Sequence, residues 1–384
     1  MGKHFKLNMI ALAISMGVAG AASAQVYGGG ATLPEKLYKG ATGNPGLFQG
    51  LPNFTDFVYS EGIGSGGGKS AFATNDSNFI YPGVTPKVPV AFAGSDSVID
   101  DNYVSTYNAR GWGRLIQIPA AGTSVTLPFN KTGGGELSLT NAQICQIFAG
   151  LDPDWNVVYR AGSSGTTELL TRFLTSICAG QDLSGSNLVN GAFSTNSTFE
   201  SLFTSLPSGK FVVASGSGNV VPTVDGGVNR IGYVSPDYIA DLADATKVAK
   251  VNGNLPTTAN AGEALGTALA PPLAQRVNPV RWVPTFDTAP TVGYPIVGYT
   301  NFLVGQCYQD QATEDRIKAL VKALADGDFD AKTIAHSFVP LPEAFRNAIN
   351  DTFVTNSINR GLDIGNTSAC GANGRPATAS AFTL

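Results

Sequence analysis

The residues in this chain best suited to chemistry are small ones, and they come in three clusters. Gly28-Gly29-Gly30-Ala31-Thr32-Leu33, Gly64-Ser65-Gly66-Gly67-Gly68-Lys69-Ser70 and Arg160-Ala161-Gly162-Ser163-Ser164-Gly165-Thr166-Thr167 each stand before a stretch of helical character. Pro34 follows the first cluster, and proline is favoured at the first position of a helix, so the amides of Thr32 and Leu33 are expected at a helix N-terminus. The second cluster is expected to lead into a short helix over residues 70–72. The third lies between a strand ending at Tyr159 and a helix beginning near Glu168. Unsatisfied amides and the helix dipole make such N-termini attractive to anions, each contributing ~0.3–1 kcal/mol, and up to ~2 kcal/mol when partly buried. Arg160 leaves a strand end beside the third cluster, and a guanidinium offers a fixed fork of donors that fits a tetrahedral oxyanion. Taken singly, each glycine-rich cluster reads as a plain turn. Their shared design points to one anion pocket built from all three.

The second cluster invites a nucleotide P-loop reading, but the pattern requires glycine at position 63, where Ile63 stands. Asp96, in Ala93-Gly94-Ser95-Asp96-Ser97, ends a strand-like run and opens what reads as a helix, so its simplest role is an N-cap. In an anion pocket the same carboxylate would repel any ligand that brings no proton. Monohydrogen phosphate brings one and sulfate at neutral pH does not, so an acceptor there selects phosphate, with a penalty of ~1–3 kcal/mol or more for an unpaired acceptor.

Elements of α/β type are expected to position these groups. Strands are expected at residues 88–92, 115–119, 157–159, 211–214, 231–234 and 296–304, alternating with helices. Thr140 reads as the cap of a helix over residues 141–149 that stops at Gly150. An apolar stripe of Leu169, Leu170, Phe173, Leu174 and Ile177 marks a helix over 168–178, and Ile317, Leu320, Val321 and Leu324 mark another over 314–325. This alternation predicts largely parallel sheets covered by helices. Residues 180–197 and 251–262 read as surface loops, and the tail beyond Gly371 lacks an apolar pattern and reads as loose.

Composition narrows the function. With 24 Lys and Arg against 28 Asp and Glu, and a net charge of −4, a basic face for nucleic acid is not expected. Lys3, His4 and Lys6, an apolar run over 7–19 and the small residues Ala22-Ser23-Ala24 read as a signal peptide over residues 1–24, and no later apolar run is long enough to cross a bilayer. The expected product starts at Gln25 and is periplasmic or secreted, without membrane insertion. Its cysteines, Cys145, Cys178, Cys307 and Cys370, are even in number and lack metal spacing, so two disulfides are expected. Three connectivities are open, of which local pairing is favoured; free buried thiols are the alternative. Beyond the leader the one histidine is His336, read as a structural or surface residue, which leaves histidine-rich metal sites and a Ser-His-Asp triad unsupported. Neither a metal nor a cofactor is expected.

The chain closely resembles the DING proteins, a branch of the PstS-like phosphate-binding proteins. The motifs are the Gly28–Tyr38 segment, Gly64-Ser65-Gly66, Ala93-Gly94-Ser95-Asp96-Ser97, Val158-Tyr159-Arg160 and Ser163-Ser164-Gly165-Thr166-Thr167-Glu168, followed by Ile231-Gly232-Tyr233-Val234-Ser235-Pro236-Asp237, Gly293-Tyr294-Pro295-Ile296 and Phe338-Val339-Pro340-Leu341-Pro342. The resemblance implies a two-lobed periplasmic-binding-protein fold of type II, each lobe a mixed sheet flanked by helices. Residues 25–120 and 293–384 would form one lobe and 121–292 the other, with crossings near 119–128 and 293–303. It implies phosphate ligation by Thr32, Leu33, Ser65, Asp96, Arg160, Ser164, Gly165 and Thr166, and Cys145–Cys178 and Cys307–Cys370 pairing. The implied function is non-enzymatic, high-affinity binding of inorganic phosphate for scavenging or uptake, by a monomer served by an ABC-type permease. The alternative is a weak secreted phosphomonoesterase with Ser164 as nucleophile. Two places depart from the branch: Gln25-Val26-Tyr27 stands in place of Asp-Ile-Asn, and Gly162 in place of an acidic residue. The second implies a less firmly oriented Arg160.

Overall fold

The computed structural model describes residues 25–60 and 63–379, so the expected leader over residues 1–24 lies outside the described residues. Early in the chain come β1 (Val26–Gly30), β2 (Phe57–Tyr59), β3 (Phe92–Ser95) and the long β4 (Leu115–Ser124). The middle supplies β5 (Phe129–Asn130), β6 (Ser138–Leu139), β7 (Asn156–Arg160), β8 (Phe211–Ala214), β9 (Arg230–Gly232) and β10 (Lys250–Val251). Late in the chain β11 (Val297–Gly305) returns to the first sheet.

The first sheet has the order β2-β1-β3-β11-β4, and the second β5-β9-β7-β8, while β6 and β10 form a small separate pair. Strands β2, β1 and β3 run parallel, as do β8, β7 and β9; β11 and β5 pair antiparallel to their neighbours. The fold is therefore a mixed α/β arrangement of two sheets flanked by helices. The three clusters lie in or directly after parallel strands β1, β2 and β7. Strands β4 and β11 pair from Leu115↔Gly305 to Ser124↔Val297 and are buried at every position. Their register shifts between Thr300 and Asn301, opposite Pro119. A proline has no N–H for the ladder, so an irregularity is placed where the ladder cannot continue.

Two glycine clusters are more regular than expected. Gly28, Gly29 and Gly30 lie inside β1, and α1 (Glu35–Lys39) begins after Pro34, which caps it and does not form its first turn. Gly66, Gly67 and Gly68 lie inside α2 (Gly64–Thr74), an eleven-residue helix in place of the short one expected. Glycine costs about 1 kcal/mol in a helix interior, so tertiary contact must offset that cost. A Cβ on Gly68 would lie 2.6 Å from the Cα of Gly30, and one on Gly66 would lie 2.7 Å from Ser163 Oγ. Helix and strand approach closer than any side chain permits.

Helices α3 (Asp101–Asn108), α4 (Asn141–Phe148), α5 (Gly165–Ile177), α6 (Val220–Asp225), α7 (Thr258–Leu265) and α8 (Gln311–Asp326) complete the covering layers used below. Thr140 caps α4 with a reciprocal capping box through Gln143, and Gly150 follows at φ +73°, both as the sequence indicates. The loop expected over 251–262 is overturned in part, since Thr257 caps α7 and Ala261, Ala264 and Leu265 turn inward.

The expected loose tail is also corrected. Arg375 is buried beneath the first sheet, its guanidinium 3.8 Å from the Phe72 ring centroid, and donates to the carbonyls of Phe72 (3.0 Å) and Val90 (2.5 Å) and to the Tyr107 hydroxyl (3.2 Å). A single anchoring side chain leaves no periodic trace in sequence. Disulfides join Cys145 to Cys178 and Cys307 to Cys370, with Cα separations of 5.6 and 5.5 Å. His336 is buried behind the helix Asp330–Ala335 as its C-cap, where desolvation lowers its pKa. Among the described residues no helix is long and apolar enough to cross a membrane.

Candidate functional site

The carboxyl ends of parallel strands are where chains leave a sheet with helix N-termini directed back at them, which makes them natural ligand sites. Thr32 and Leu33 follow the end of β1, and Asp96 follows the end of β3, its immediate parallel neighbour through Gly30↔Gly94. Ser65 stands in the first turn of α2, which packs on the same edge through Gly68. Arg160 is the last residue of β7, and Ser164 caps α5, whose first residues are Gly165 and Thr166.

The two edges meet. A Cβ on Gly165 would lie 2.3 Å from Asp96 Cβ and 2.6 Å from Ser65 Oγ. One on Gly64 would lie 2.5 Å from the Ser163 carbonyl and 3.4 Å from Arg160 Nη2. Ser65 donates through Oγ to Asp96 Oδ2 at 3.3 Å and accepts the Asp96 amide at 3.0 Å. Ser65, Asp96, Arg160, Ser164, Gly165 and Thr166 are thus gathered, although they come from segments far apart in the chain. Thr32 and Leu33 are buried one strand away, and Thr32 Oγ1 lies 3.1 Å from the hydroxyl of Ser217, which follows β8 of the second sheet.

Asp96 is not the helix cap that its local sequence suggests. The next helix, α3, starts five residues later and is capped by Asp100, leaving the Asp96 carboxylate to Ser65, with the Thr300 hydroxyl of β11 beside it lowering its pKa. Burial raises its pKa to about 7, the Thr300 and Ser65 hydrogen bonds pull it down, Glu168 pushes it up, and Arg160 lowers it. Burial also lowers the Arg160 pKa, opposed by Tyr233, Asp96 and Tyr238, but a guanidinium keeps its charge.

Arg160 is firmly oriented without the acidic neighbour that Gly162 replaces. Its Nη1 donates to the carbonyls of Ala161 and Ser163, both at 3.1 Å, and its amide donates to the Tyr233 hydroxyl at 3.1 Å. Gly162 makes the first clamp possible by turning the chain at φ +71°. Buried polar groups are nearly always paired within a protein or with bound molecules. Among the described residues, Asp96 Oδ1, Arg160 Nε and Thr166 Oγ1 are buried and have no protein partner. The pocket therefore offers a positive charge, a hydroxyl, helix N-terminal amides and one acceptor that demands a proton.

Several contributors escaped the sequence reading. Ser217 lies in Ser215-Gly216-Ser217-Gly218, directly after strand β8, which is the same strand-then-small-loop signal as the other clusters. Thr300 sits within a wholly buried strand and has no local mark. Across the two sheets, Lys36 Nζ donates to the Asp237 carbonyl at 3.0 Å and stands 3.7 Å from the Tyr238 ring centroid.

Residues 17–326 match the model of the PBP superfamily domain. The chain is 41% identical to Alkaline phosphatase L of Pseudomonas aeruginosa strain PAO1, over 97% of this chain and 100% of that one. A solved phosphate-binding protein from Stenotrophomonas maltophilia is 40% identical, covering 92% of this chain and 99% of its own, with a TM-score of 0.81. The high-affinity periplasmic phosphate-binding protein PfluDING, solved with phosphate bound, is 37% identical with the same coverage and a TM-score of 0.81. With its paired carboxyl-end loops and near full-length likeness to these proteins, the chain belongs to the PBP superfamily and, within it, to the DING branch.

Proposed function

We propose that this protein binds inorganic phosphate with high affinity between two α/β lobes, residues 25–120 with 293–384 and residues 121–292, and does so without turning it over. The observation that carries this reading is the joint burial of Asp96 Oδ1, Arg160 Nε and Thr166 Oγ1, which have no protein partner among the described residues. The proposed ligands are Thr32, the Leu33 main chain, Ser65, Asp96, Arg160, Ser164, Gly165 and Thr166. Arg160 supplies the counter-charge, the helix N-termini supply amides, and Asp96 accepts the proton of monohydrogen phosphate. A micromolar dissociation constant needs ~8 kcal/mol net, which one arginine and several charge-assisted bonds of ~1.5–3 kcal/mol each can provide after ordering costs. The likeness to PfluDING supports a periplasmic or secreted location, and an ABC-type permease is the proposed recipient of the ligand. Calorimetry on ligand-stripped protein is expected to give one phosphate site per chain with sulfate competing poorly. Absence of phosphate binding would reject the reading.

The name of the Pseudomonas relative favours a second reading, hydrolysis of phosphomonoesters. Ser164 would be the nucleophile, yet its hydroxyl is occupied in capping α5, accepting the Thr167 amide at 3.3 Å. Turnover of a chromogenic phosphomonoester that copurifies with the protein and vanishes in Ser164→Ala would establish it.

A further inference from the structure

We infer that Thr300 is a positioning residue for Asp96, holding its carboxylate as an acceptor toward the anion, and that Tyr38 sets the direction of the hydrogen bonds behind it. This inference rests on the phosphate-binding reading above.

The placement comes from sheet register. Strand β11 runs antiparallel to β3 with Asn301 opposite Ser95, so Thr300 faces the position of Asp96 one step along. The Asn301 side chain locks that register by donating to the Ser95 carbonyl at 2.8 Å. Thr300 is wholly buried, and its hydroxyl pulls the pKa of the facing Asp96 carboxylate down. On its other side, Thr300 Oγ1 lies 3.3 Å from the Tyr38 hydroxyl. The Tyr38 ring is itself fixed, stacked on Phe302 with centroids 4.9 Å apart and edge-on to Tyr59 at 5.0 Å.

A threonine hydroxyl has one proton to give. If that proton is given to Asp96, the Tyr38–Thr300 contact must run from Tyr38 to Thr300. Burial holds the Tyr38 phenol in its protonated form, which keeps this direction fixed. Ser65 supplies a second donor to Asp96 Oδ2. These two hydroxyls oppose burial and lower the pH at which the carboxylate takes up a proton, and above that pH Oδ1 can only accept. Of the other groups that face it, Arg160 also favours the charged form, whereas burial and Glu168 oppose it; neutral Tyr38 and Tyr59 complete the surroundings. Without the Thr300 hydroxyl, Asp96 would take up a proton at higher pH and donate it to an unprotonated anion such as sulfate.

The test is competitive calorimetry with phosphate and sulfate across the pH range in which Asp96 titrates, on the mature unaltered chain and on Thr300→Val, Thr300→Ser and Tyr38→Phe. Loss of one hydrogen bond to the carboxylate predicts a phosphate-to-sulfate ratio lowered about five- to tenfold in Thr300→Val. The pH at which that ratio declines is expected to move upward. Thr300→Ser should restore both, and Tyr38→Phe should move both in the same direction by less. An unchanged ratio and pH profile in Thr300→Val and Tyr38→Phe would overturn the inference while phosphate binding stands. Failure of the unaltered chain to bind phosphate would overturn the underlying reading, and this inference with it.

Discussion

Gly165 and Asp96 are in backbone-to-side-chain contact so close that a methyl group on Gly165 would lie 2.3 Å from Asp96 Cβ and 2.5 Å from Oδ2. The first residue of α5 and the residue after β3, which belong to different sheets, approach as only glycine allows. Gly165→Ala is therefore expected to cost about 1–3 kcal/mol in phosphate affinity, since the two edges can no longer meet, while global stability stays near that of the parent. Calorimetry together with thermal unfolding of the ligand-free chain measures the two separately.

Arg160 lies against both edges, and its Nη1 is clamped by the Ala161 and Ser163 carbonyls. Arg160→Ala should weaken phosphate binding by about 2–5 kcal/mol, because a buried charged partner is removed. Arg160→Lys should recover little, as an ammonium cannot reach two carbonyls and the ligand with one planar fork. Titration calorimetry of the two variants distinguishes charge from geometry.

Discrimination against sulfate should depend on pH through Asp96, whose pKa is raised to about 7. Above that value the carboxylate only accepts and sulfate is rejected; below it the protonated group can donate, and sulfate should compete better. Asp96→Asn should bind sulfate more nearly as well as phosphate at every pH, because an amide donates. Stability of the ligand-free chain has a matching sign. The folded pKa exceeds the unfolded value, so this group's contribution is fully present below about pH 4 and is lost as pH rises through about 7. Competition assays and denaturant titrations at several pH values check both, and a pH-independent selectivity in the unaltered chain would contradict the assignment.

Lys36 bridges the two sheets beside the pocket, through the Asp237 carbonyl and the Tyr238 ring. Lys36→Met should remove about 1–2 kcal/mol of closure. Release should quicken in stopped-flow measurements, and the ratio of phosphate to sulfate affinity should stay unchanged.

Arg375 anchors the tail by stacking on Phe72 and donating to two carbonyls and the Tyr107 hydroxyl. Arg375→Ala leaves those buried acceptors unpaired and removes the packed stem, which should cost about 2–4 kcal/mol of stability. Denaturant unfolding should register that loss, with phosphate affinity preserved at temperatures where the variant is folded.

The local chemistry was legible in the amino-acid order. Small residues after strands, Arg160 at a strand end, the Thr140 cap and the apolar stripe of α5 are short-range signals, and each corresponds to an element in the fold. Long-range contacts overruled the local reading elsewhere. The glycine run after Gly64 became helix because Gly30 and Ser163 press against it, and Asp96 lost a capping role because Ser65 and Thr300 claim its carboxylate. Arg375 and Thr300 are single side chains whose partners lie far away in the chain, so no periodicity could announce them. Sequence alone thus specified which groups were able to meet an anion, since that depends on residue type and the neighbours along the chain. Tertiary structure decided which of them share one buried space, because desolvation and packing exist only after distant segments have come together.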